Sequence, residues 1–169
     1  MWDMNTRESK VLPINDNSTK PLRRAIVAIS PDGRFIAASY WSDTNVRIWD
    51  VSSGTIVNRL CGHSHGILSV AFTPDGKGLV SGSGDRTLKY WELNMTNSNA
   101  VDAGRPFSKC ILDLKGHKSS VFQVVVSHDG QWIVSRSNTD GVQFWDKHGR
   151  AHLTLRGHKY SGARLCIQT

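Results

Sequence analysis

The chain has 169 residues and a formal net charge of +7, from 21 lysines and arginines against 14 aspartates and glutamates. No run approaches the roughly 18 apolar residues of a membrane span, and no basic and then apolar stretch opens the chain, so we expect neither a membrane anchor nor a secretion signal. The cationic excess favours acidic partners, nucleic acid or anionic protein segments, although scattered lysines and arginines equally suit a solvated basic surface. Three separated cysteines, Cys61, Cys110 and Cys166, indicate free thiols in a reducing compartment.

The chain contains three internal repeats, and their spacing decides the architecture. Each repeat ends in a tryptophan followed by an acidic residue, and the three tryptophans lie 42 and 54 residues apart. The second interval is longer because a polar insertion, residues 94–108, interrupts the pattern. The aligned segments are residues 25–50, 67–92 and 121–146, with Trp49, Trp91 and Trp145 at matching positions.

Each repeat has the pattern of short β-strands separated by turns. In the second repeat the strands ILSVAF, GLVSGS and LKYWE alternate with the turns TPDG and GDRT. A fourth strand follows the insertion as KCILDLKGH, with counterparts in TIVNRLCGH and HLTLRGH. No helical period competes with this interpretation. The pattern predicts an all-β protein, a partial β-propeller with about three complete four-stranded blades in a ring that is not closed.

We expect a single repeat region over residues 1–169, built from successive blades. The opening MWDMNT carries the Trp-Asp ending of a blade, so residues 1–15 are expected to finish a preceding blade. Residues 157–169 are expected to begin a further, degenerate blade, which makes the chain a truncated product or a piece of a longer protein. Outer blades would expose apolar faces and need further blades or self-association to cover them. The complete blades are predicted at residues 22–60, at 63–115 with the loop 94–108, and at 117–156.

A Gly-His dipeptide follows each fourth strand, as in Gly62-His63, Gly116-His117 and Gly157-His158. At these residues the chain resembles the WD repeats. In that family this histidine, a serine of the second strand, an aspartate of the next turn and the tryptophan form a buried hydrogen-bonded set. A buried indole N–H needs such an acceptor. The second repeat supplies all four members, His63, Ser81, Asp85 and Trp91.

The third repeat supplies the set less completely. His117, Ser135 and Trp145 are present, but Thr139 aligns with the aspartate position and Asp140 follows one place late. We therefore expect this blade to be less rigidly held than the second.

The first repeat departs further from the pattern. It has Asp43 and Trp49 but no histidine at the expected distance, and one extra residue precedes Asp43. Either Ala38 or Ser39 then takes the serine place, and this blade too is expected to be less rigid than the second.

Longer segments resemble one branch of the WD-repeat proteins. VAISPDGRFIAA, VRIWDV, SVAFTPDGKGLVSGSGDRTLKYWE, GHKSSVFQVVVSHDGQWIVSRS and GVQFWD resemble the C-terminal propeller of the fungal Tup-type general transcriptional corepressors, relatives of Groucho. SKVLPIND resembles a fourth strand and linker of that family, so the similarity covers residues 1 to about 160. It implies a nuclear protein-interaction scaffold that contacts DNA-bound sequence-specific repressors, histone tails and a co-repressor subunit. It implies neither direct readout of nucleic-acid bases nor membrane binding. The helical oligomerisation segment of the family is not found in this sequence.

Catalytic interpretations are weaker than structural ones. Ser81, His63 and Asp85 have the composition of a hydrolase triad, but the repeat setting assigns them to the structural set and no G-x-S-x-G turn is present. His63 and His65 lack a third local metal ligand, and no phosphate-binding loop occurs. We therefore expect a non-enzymatic protein with no catalytic residues, no metal and no cofactor.

The partner-binding face is predicted at the turns around the Gly-His dipeptides and at those before the aspartate positions. The residues of this face are chosen by their position in the repeat, not by their side-chain chemistry. The alternatives are another WD scaffold, such as a ubiquitin-ligase adaptor or a G-protein β-like protein, and a truncated product without function. The predicted members are Trp41, Ser42, His65, Gly84, Lys118, Ser120, Asn138 and Tyr160.

Overall fold

A computed structural model describes residues 25–40, 42–94 and 108–156. Within these residues all regular structure is β, and no helix there is long and apolar enough to cross a membrane. The predicted flanking segments 1–15 and 157–169, and nearly all of the 94–108 insertion, lie outside the described residues. The described strands are β1 (Ala25–Ile29), β2 (Phe35–Tyr40), β3 (Asn45–Asp50), β4 (Ile56–Cys61), β5 (Ile67–Phe72), β6 (Gly78–Ser83), β7 (Thr87–Leu93), β8 (Ser108–Lys115), β9 (Val121–Val126), β10 (Trp132–Ser137), β11 (Val142–Asp146) and β12 (Ala151–Leu155).

The strands form three separate four-stranded antiparallel sheets, each with its strands in chain order. We call the sheets blade 1 (β1–β4), blade 2 (β5–β8) and blade 3 (β9–β12). This confirms the predicted fold class, a partial WD-type β-propeller. Closed propellers have typically four to eight blades, so the three described blades leave the ring open.

Each blade begins with a hairpin whose turn is stabilised by a serine or threonine hydroxyl and an aspartate. In blade 1 the Ser30 hydroxyl donates to Asp32 Oδ1 at 2.6 Å and accepts from the Phe35 amide at 2.9 Å. Gly33 takes a φ of 71°, a left-handed conformation that favours glycine. Thr73 and Ser127 make the corresponding bonds in the other two blades. The turns therefore fix the register of the first two strands of each blade.

Two apolar clusters hold the three blades face to face. The first lies between blades 1 and 2 and includes Ile48, Leu60 and Trp91, while the second lies between blades 2 and 3 and includes Leu88 and Trp145. Each of these tryptophans thus packs against the blade before its own. Strand β6 is buried at all six positions because blade 2 has a neighbour on both sides.

Hydrogen bonds between the blades add to the apolar contacts. The Ile67 amide of blade 2 donates to the Asp43 carbonyl of blade 1 at 3.0 Å. The Val124 amide of blade 3 donates to Ser69 Oγ of blade 2, also at 3.0 Å. Both bonds join the first strand of one blade to the blade before it, so they fix the relative height of neighbouring blades.

The two outer blades expose apolar side chains. Val27 and Ile29 of β1 are 57% and 62% exposed, and Leu153 and Leu155 of β12 are 50% and 45% exposed. Blade 2 has no exposed residue of this kind in its two central strands. Apolar faces of this kind mark surfaces that bury well against another protein layer.

Replacing Gly82 of β6 by alanine should destabilise the protein by about 1–3 kcal/mol through overpacking. A Cβ at this position would lie 2.8 Å from Val121 Cγ1 and 3.0 Å from Val124 Cγ1, both in blade 3. Denaturant unfolding of Gly82→Ala measures the loss. Gly84→Ala is the matched control, since its Cβ would meet its nearest neighbour, His65 Cβ, at 3.4 Å. Equal stability of the two variants would contradict close packing of blades 2 and 3.

Candidate functional site

The connections between strands gather at two opposite ends of the blades, because consecutive strands are antiparallel. We call one end the upper edge; it consists of the inter-blade loops 62–66 and 116–120 and the turns 42–44, 84–86 and 138–141. The other end, the lower edge, consists of the turns 30–34, 51–55, 73–77, 127–131 and 147–150. All members of the predicted partner-binding face that the structure describes lie on the upper edge.

A chain of hydrogen bonds runs through blade 2 from its core to the upper edge. Trp91 Nε1 donates to Ser81 Oγ at 2.8 Å, Ser81 Oγ lies 2.8 Å from His63 Nε2, and His63 Nδ1 lies 2.7 Å from Asp85 Oδ2. An ionised carboxylate can only accept, so His63 donates from Nδ1 and accepts the serine hydroxyl at Nε2. With a neutral imidazole, every hydrogen-bond donor in this chain has an acceptor.

The electrostatics of the chain favour the same protonation states. Burial lowers the pKa of His63 and outweighs the opposing effect of Asp85. Burial alone would raise the pKa of Asp85, but hydrogen bonds from Thr87 and His63 lower it to about 2. Asp85 also accepts the Ser64 amide at 3.0 Å. The ionised aspartate therefore ties loop 62–66 to the turn 84–86.

Blade 3 contains the same chain of bonds. Trp145 Nε1 donates to Ser135 Oγ at 2.8 Å, and His117 lies 2.7 Å from Ser135 Oγ through Nε2 and 2.7 Å from Asp140 Oδ2 through Nδ1. Thr139 aligns with Asp85 in the strand register, but Asp140, one place later, supplies the carboxylate to His117. The expectation of a looser third blade loses its basis, since no member of the set is missing.

The shift to Asp140 does not change the length of the turn. Ser135 pairs with Gln143 in blade 3 just as Ser81 pairs with Lys89 in blade 2, so the carboxylate stands one place later in a turn of the same length. Asp140 is followed by Gly141 with a φ of 83°, just as Asp85 is followed by Arg86 with a φ of 73°. An aspartate directly before a glycine in this turn is the sequence signal that spacing alone overlooks.

Blade 1 lacks the serine acceptor. The β2–β3 register pairs Ala38 with Arg47, as the β6–β7 register pairs Ser81 with Lys89, so Ala38 occupies the serine place. Ser39 instead donates to a backbone carbonyl, that of Asn45, at 2.8 Å. This resolves the alternative that the spacing left open.

Two consequences follow for the rest of blade 1. The buried Trp49 Nε1 has no acceptor among the described residues. Asp43 accepts a charged hydrogen bond from the Arg47 guanidinium, and its Oδ1 accepts the Asn45 amide at 3.0 Å. An ion pair within the blade thus takes the place that the histidine holds in blades 2 and 3.

Three predicted members of the partner-binding face meet at the junction of blades 2 and 3. A Cβ built on Gly84 would lie 3.4 Å from His65 Cβ and 3.9 Å from Ser120 Oγ. The Gly84 amide donates to the Gly66 carbonyl at 2.9 Å, which holds this turn against the inter-blade loop. The junction is therefore a continuous surface that joins two loops and one turn.

The remaining predicted members lie around this junction or away from it. Lys118 is exposed, and its amide donates to Asp140 Oδ2 at 3.2 Å. Asn138 is exposed in the next turn, and Ser42 is exposed in the equivalent turn of blade 1. Trp41 and Tyr160 lie outside the described residues.

The described residues offer no arrangement for metal binding, since no group of three or more histidine, cysteine or acidic side chains converges there. His63, Ser81 and Asp85 have the bonding order of a serine hydrolase triad. Ser81 is fully buried, however, and its oxygen accepts the Trp91 N–H. This serine is not accessible to a substrate, so the set stabilises the blade.

Stacked four-stranded blades that are tied internally by histidine, serine, aspartate and tryptophan define a WD-type β-propeller protein. The sequence matches the family described as WD domain, G-beta repeat over residues 24–50, 54–92 and 108–146, and the chain belongs to this family. Proteins with this repeat act as scaffolds for protein–protein interactions and are generally not enzymes.

Several curated proteins with different names share this similarity. The chain is 28% identical over 160 residues to nuclear distribution protein PAC1 of Arthroderma otae, covering 86% of this chain and 32% of that protein. It is 32% identical over 114 residues to periodic tryptophan protein 2 homolog of Neurospora crassa, covering 66% and 12%. It is 37% identical over 91 residues to small ribosomal subunit protein RACK1 of Dictyostelium discoideum, covering 53% and 26%. The chain thus spans about a third or less of the relatives it matches.

Replacing Ala38 by serine should stabilise the protein by about 0.5–1.5 kcal/mol, because it supplies an acceptor for the Trp49 N–H. The reverse change in blade 3, Ser135→Ala, should cost about 1–3 kcal/mol because it leaves Trp145 Nε1 and His117 Nε2 without a partner. Denaturant unfolding measures both values. A neutral or destabilising Ala38→Ser variant would show that this indole N–H is already satisfied.

Lowering the pH from about 7.5 to about 5.5 should reduce the free energy of unfolding. The ordinary histidine pKa is 6.5, and those of His63 and His117 are lowered in the folded protein by burial. The unfolded chain therefore binds more protons below about pH 6.5, and stability is lost as the pH falls. Unfolding midpoints at both pH values measure the slope.

A matched pair of variants identifies the groups that cause this slope. His117→Asn should flatten it, whereas the same change at the exposed His128 should leave it as in the unmodified protein. A slope that survives the replacement of both His63 and His117 would contradict the assignment.

Proposed function

We propose that this chain is part of a transcriptional corepressor, in which the upper edge of the blades binds partner proteins. The observation that carries the proposal is the continuous surface of His65, Gly84 and Ser120 at the junction of blades 2 and 3. Buried hydrogen-bond chains on both sides of the junction hold the surface rigid. A preorganised surface loses little entropy on binding, which suits a scaffold.

The corepressor assignment is supported by the long segments described above, including SVAFTPDGKGLVSGSGDRTLKYWE and GHKSSVFQVVVSHDGQWIVSRS. The proposed partners are DNA-bound sequence-specific repressors, histone tails and a co-repressor subunit, and the proposed location is the nucleus. Base readout is not part of the proposal. The blades at 22–60, 63–115 and 117–156, with partial blades at 1–15 and 157–169, are proposed as one repeat region.

A second candidate is another type of WD scaffold, such as an adaptor of a ubiquitin ligase or a G-protein β-like protein. The match to the family described as WD domain, G-beta repeat, which is not specific to corepressors, favours this candidate. The two candidates share the same binding surface and differ in what the bound partner does.

A tethering experiment tests the corepressor proposal. The full chain is fused to an unrelated DNA-binding domain, and transcription from a reporter that carries its site is measured. We expect a several-fold decrease in transcription. Replacing the exposed upper-edge residues His65 and Asn138 by tryptophan should restore transcription, because bulky groups block the surface without a change of charge.

The matched control places the same bulk on the lower edge. His128→Trp with Gln131→Trp alters two exposed residues of the turn 127–131 and should leave repression intact. Equal loss in both variants would contradict the assignment of the upper edge. An inactive fusion that is folded and present in the nucleus would contradict the corepressor function and leave the other scaffold candidate.

A further inference from the structure

The carboxylates near the upper edge are directed inward and used within the blades. Among the described residues, the side chains of Asp85 and Asp140 are only 8% and 9% exposed, and that of Asp43 is 15% exposed. Their oxygens accept hydrogen bonds from the protein, so they offer little to a partner. These turn carboxylates pair as Asp43 with Arg47, Asp85 with His63, and Asp140 with His117. Asp113 of β8 is 37% exposed and is paired with Lys89 and Lys115.

Cations, by contrast, extend into solvent at the same edge. Arg86 and Lys118 are both exposed, and no hydrogen bond or ion pair engages either side chain among the described residues. Arg86 lies two residues after Gly84, and Lys118 lies two residues before Ser120. A Cβ built on Gly84 would lie 3.9 Å from Ser120 Oγ, so the two cations belong to segments that meet at one junction. The outermost charges there are positive.

The backbone at Arg86 supports a role for its side chain. Its φ of 73° makes it the one residue other than glycine with a positive φ in the described part of the chain. In blade 3 the residue that follows the aspartate is Gly141, with a φ of 83°. Non-glycine residues in this conformation are strained and concentrate at functional sites. An arginine that glycine would replace without strain therefore points to a use for the guanidinium.

We propose that the junction of blades 2 and 3 binds an acidic peptide segment, whose carboxylate or phosphate groups pair with Arg86 and Lys118. The peptide backbone lies over Gly84, which has no side chain of its own, between His65 and Ser120. A guanidinium binds carboxylate or phosphate through two parallel hydrogen bonds, which adds orientation to charge attraction. This inference rests on the proposed function, because it names the chemistry of the partner at that surface.

A peptide fits this junction better than nucleic acid does. Stable binding to a nucleic-acid backbone draws on about 6–10 phosphate contacts. The junction presents two unengaged cations, and the next cation, Lys115, lies 3.3 Å from Asp113. Two charges on a narrow, rigid surface match a short acidic segment.

Fluorescence anisotropy with labelled peptides tests the proposal on the full chain. The probes are a glutamate-rich peptide, the same peptide with phosphoserines, and a neutral version with glutamine at every glutamate. We expect both acidic probes to bind, with affinity falling as salt is raised, and the neutral probe not to bind. The two acidic arms distinguish carboxylate from phosphate as the preferred group. A single-stranded oligonucleotide of equal charge that binds more tightly than both peptides would overturn the proposal.

Charge-matched variants separate a specific site from general attraction to a basic protein. Arg86→Glu with Lys118→Glu should weaken binding of the acidic probes by about tenfold or more. Lys77→Glu with Lys147→Glu changes the net charge equally, at exposed positions of the lower edge, and should weaken it by less than about threefold. Equal weakening by the two variants would overturn the proposal.

The variant Arg86→Gly distinguishes a loss of binding from a loss of folding. Glycine adopts the left-handed conformation without strain, so this variant should be at least as stable as the unmodified chain and still bind the acidic probes more weakly. Unchanged binding would overturn the role of Arg86. If the chain represses the tethered reporter but does not bind the acidic probes, this inference alone is refuted. If the chain binds the acidic probes but does not repress the reporter, the corepressor function alone is refuted.

Discussion

The indole N–H of the blade tryptophan is the group on which the structure most depends. Each tryptophan of blades 2 and 3 packs against the preceding blade, so its N–H is removed from water and needs an acceptor. Ser81 and Ser135 supply it from the second strand. Each serine hydroxyl then donates a hydrogen bond to a histidine Nε2, and each histidine donates a hydrogen bond from Nδ1 to an aspartate. One buried donor thereby connects the blade core to a loop and a turn at the upper edge.

Blade 1 shows what changes when no serine accepts the tryptophan N–H. With Ala38 at the serine place, nothing described accepts the Trp49 N–H, and Asp43 pairs with Arg47. The ion pair holds the turn but makes no bond to the tryptophan. Turn and core are therefore connected less directly in blade 1 than in its neighbours, although Asp43 still joins blade 2 through its carbonyl.

Much of the fold could be predicted from the sequence because its determinants are local. Alternating apolar residues, Pro-Asp-Gly turns and Trp-Asp endings set twelve strands in three sheets, and β6 has the bounds expected from GLVSGS. Two assignments at the sites could not be made from spacing. Asp140 supplies the carboxylate from one place after the aligned Thr139, in a turn of unchanged length, and Ala38 takes the serine place because cross-strand register decides it. Both depend on the arrangement of turns and strands in space, which linear distance does not report.

The same internal bonding determines the charge of the surface. The hydrogen-bond chains turn Asp85 and Asp140 inward, and cations remain as the outermost groups of the upper edge. The lower edge carries exposed charges of both signs, with Asp32 and Asp75 beside Arg34 and Lys77 around a cleft of about 610 Å³ between two turns. The upper edge thus differs from the lower edge because the carboxylates of its turns in blades 2 and 3 are engaged in the internal hydrogen bonds of those blades.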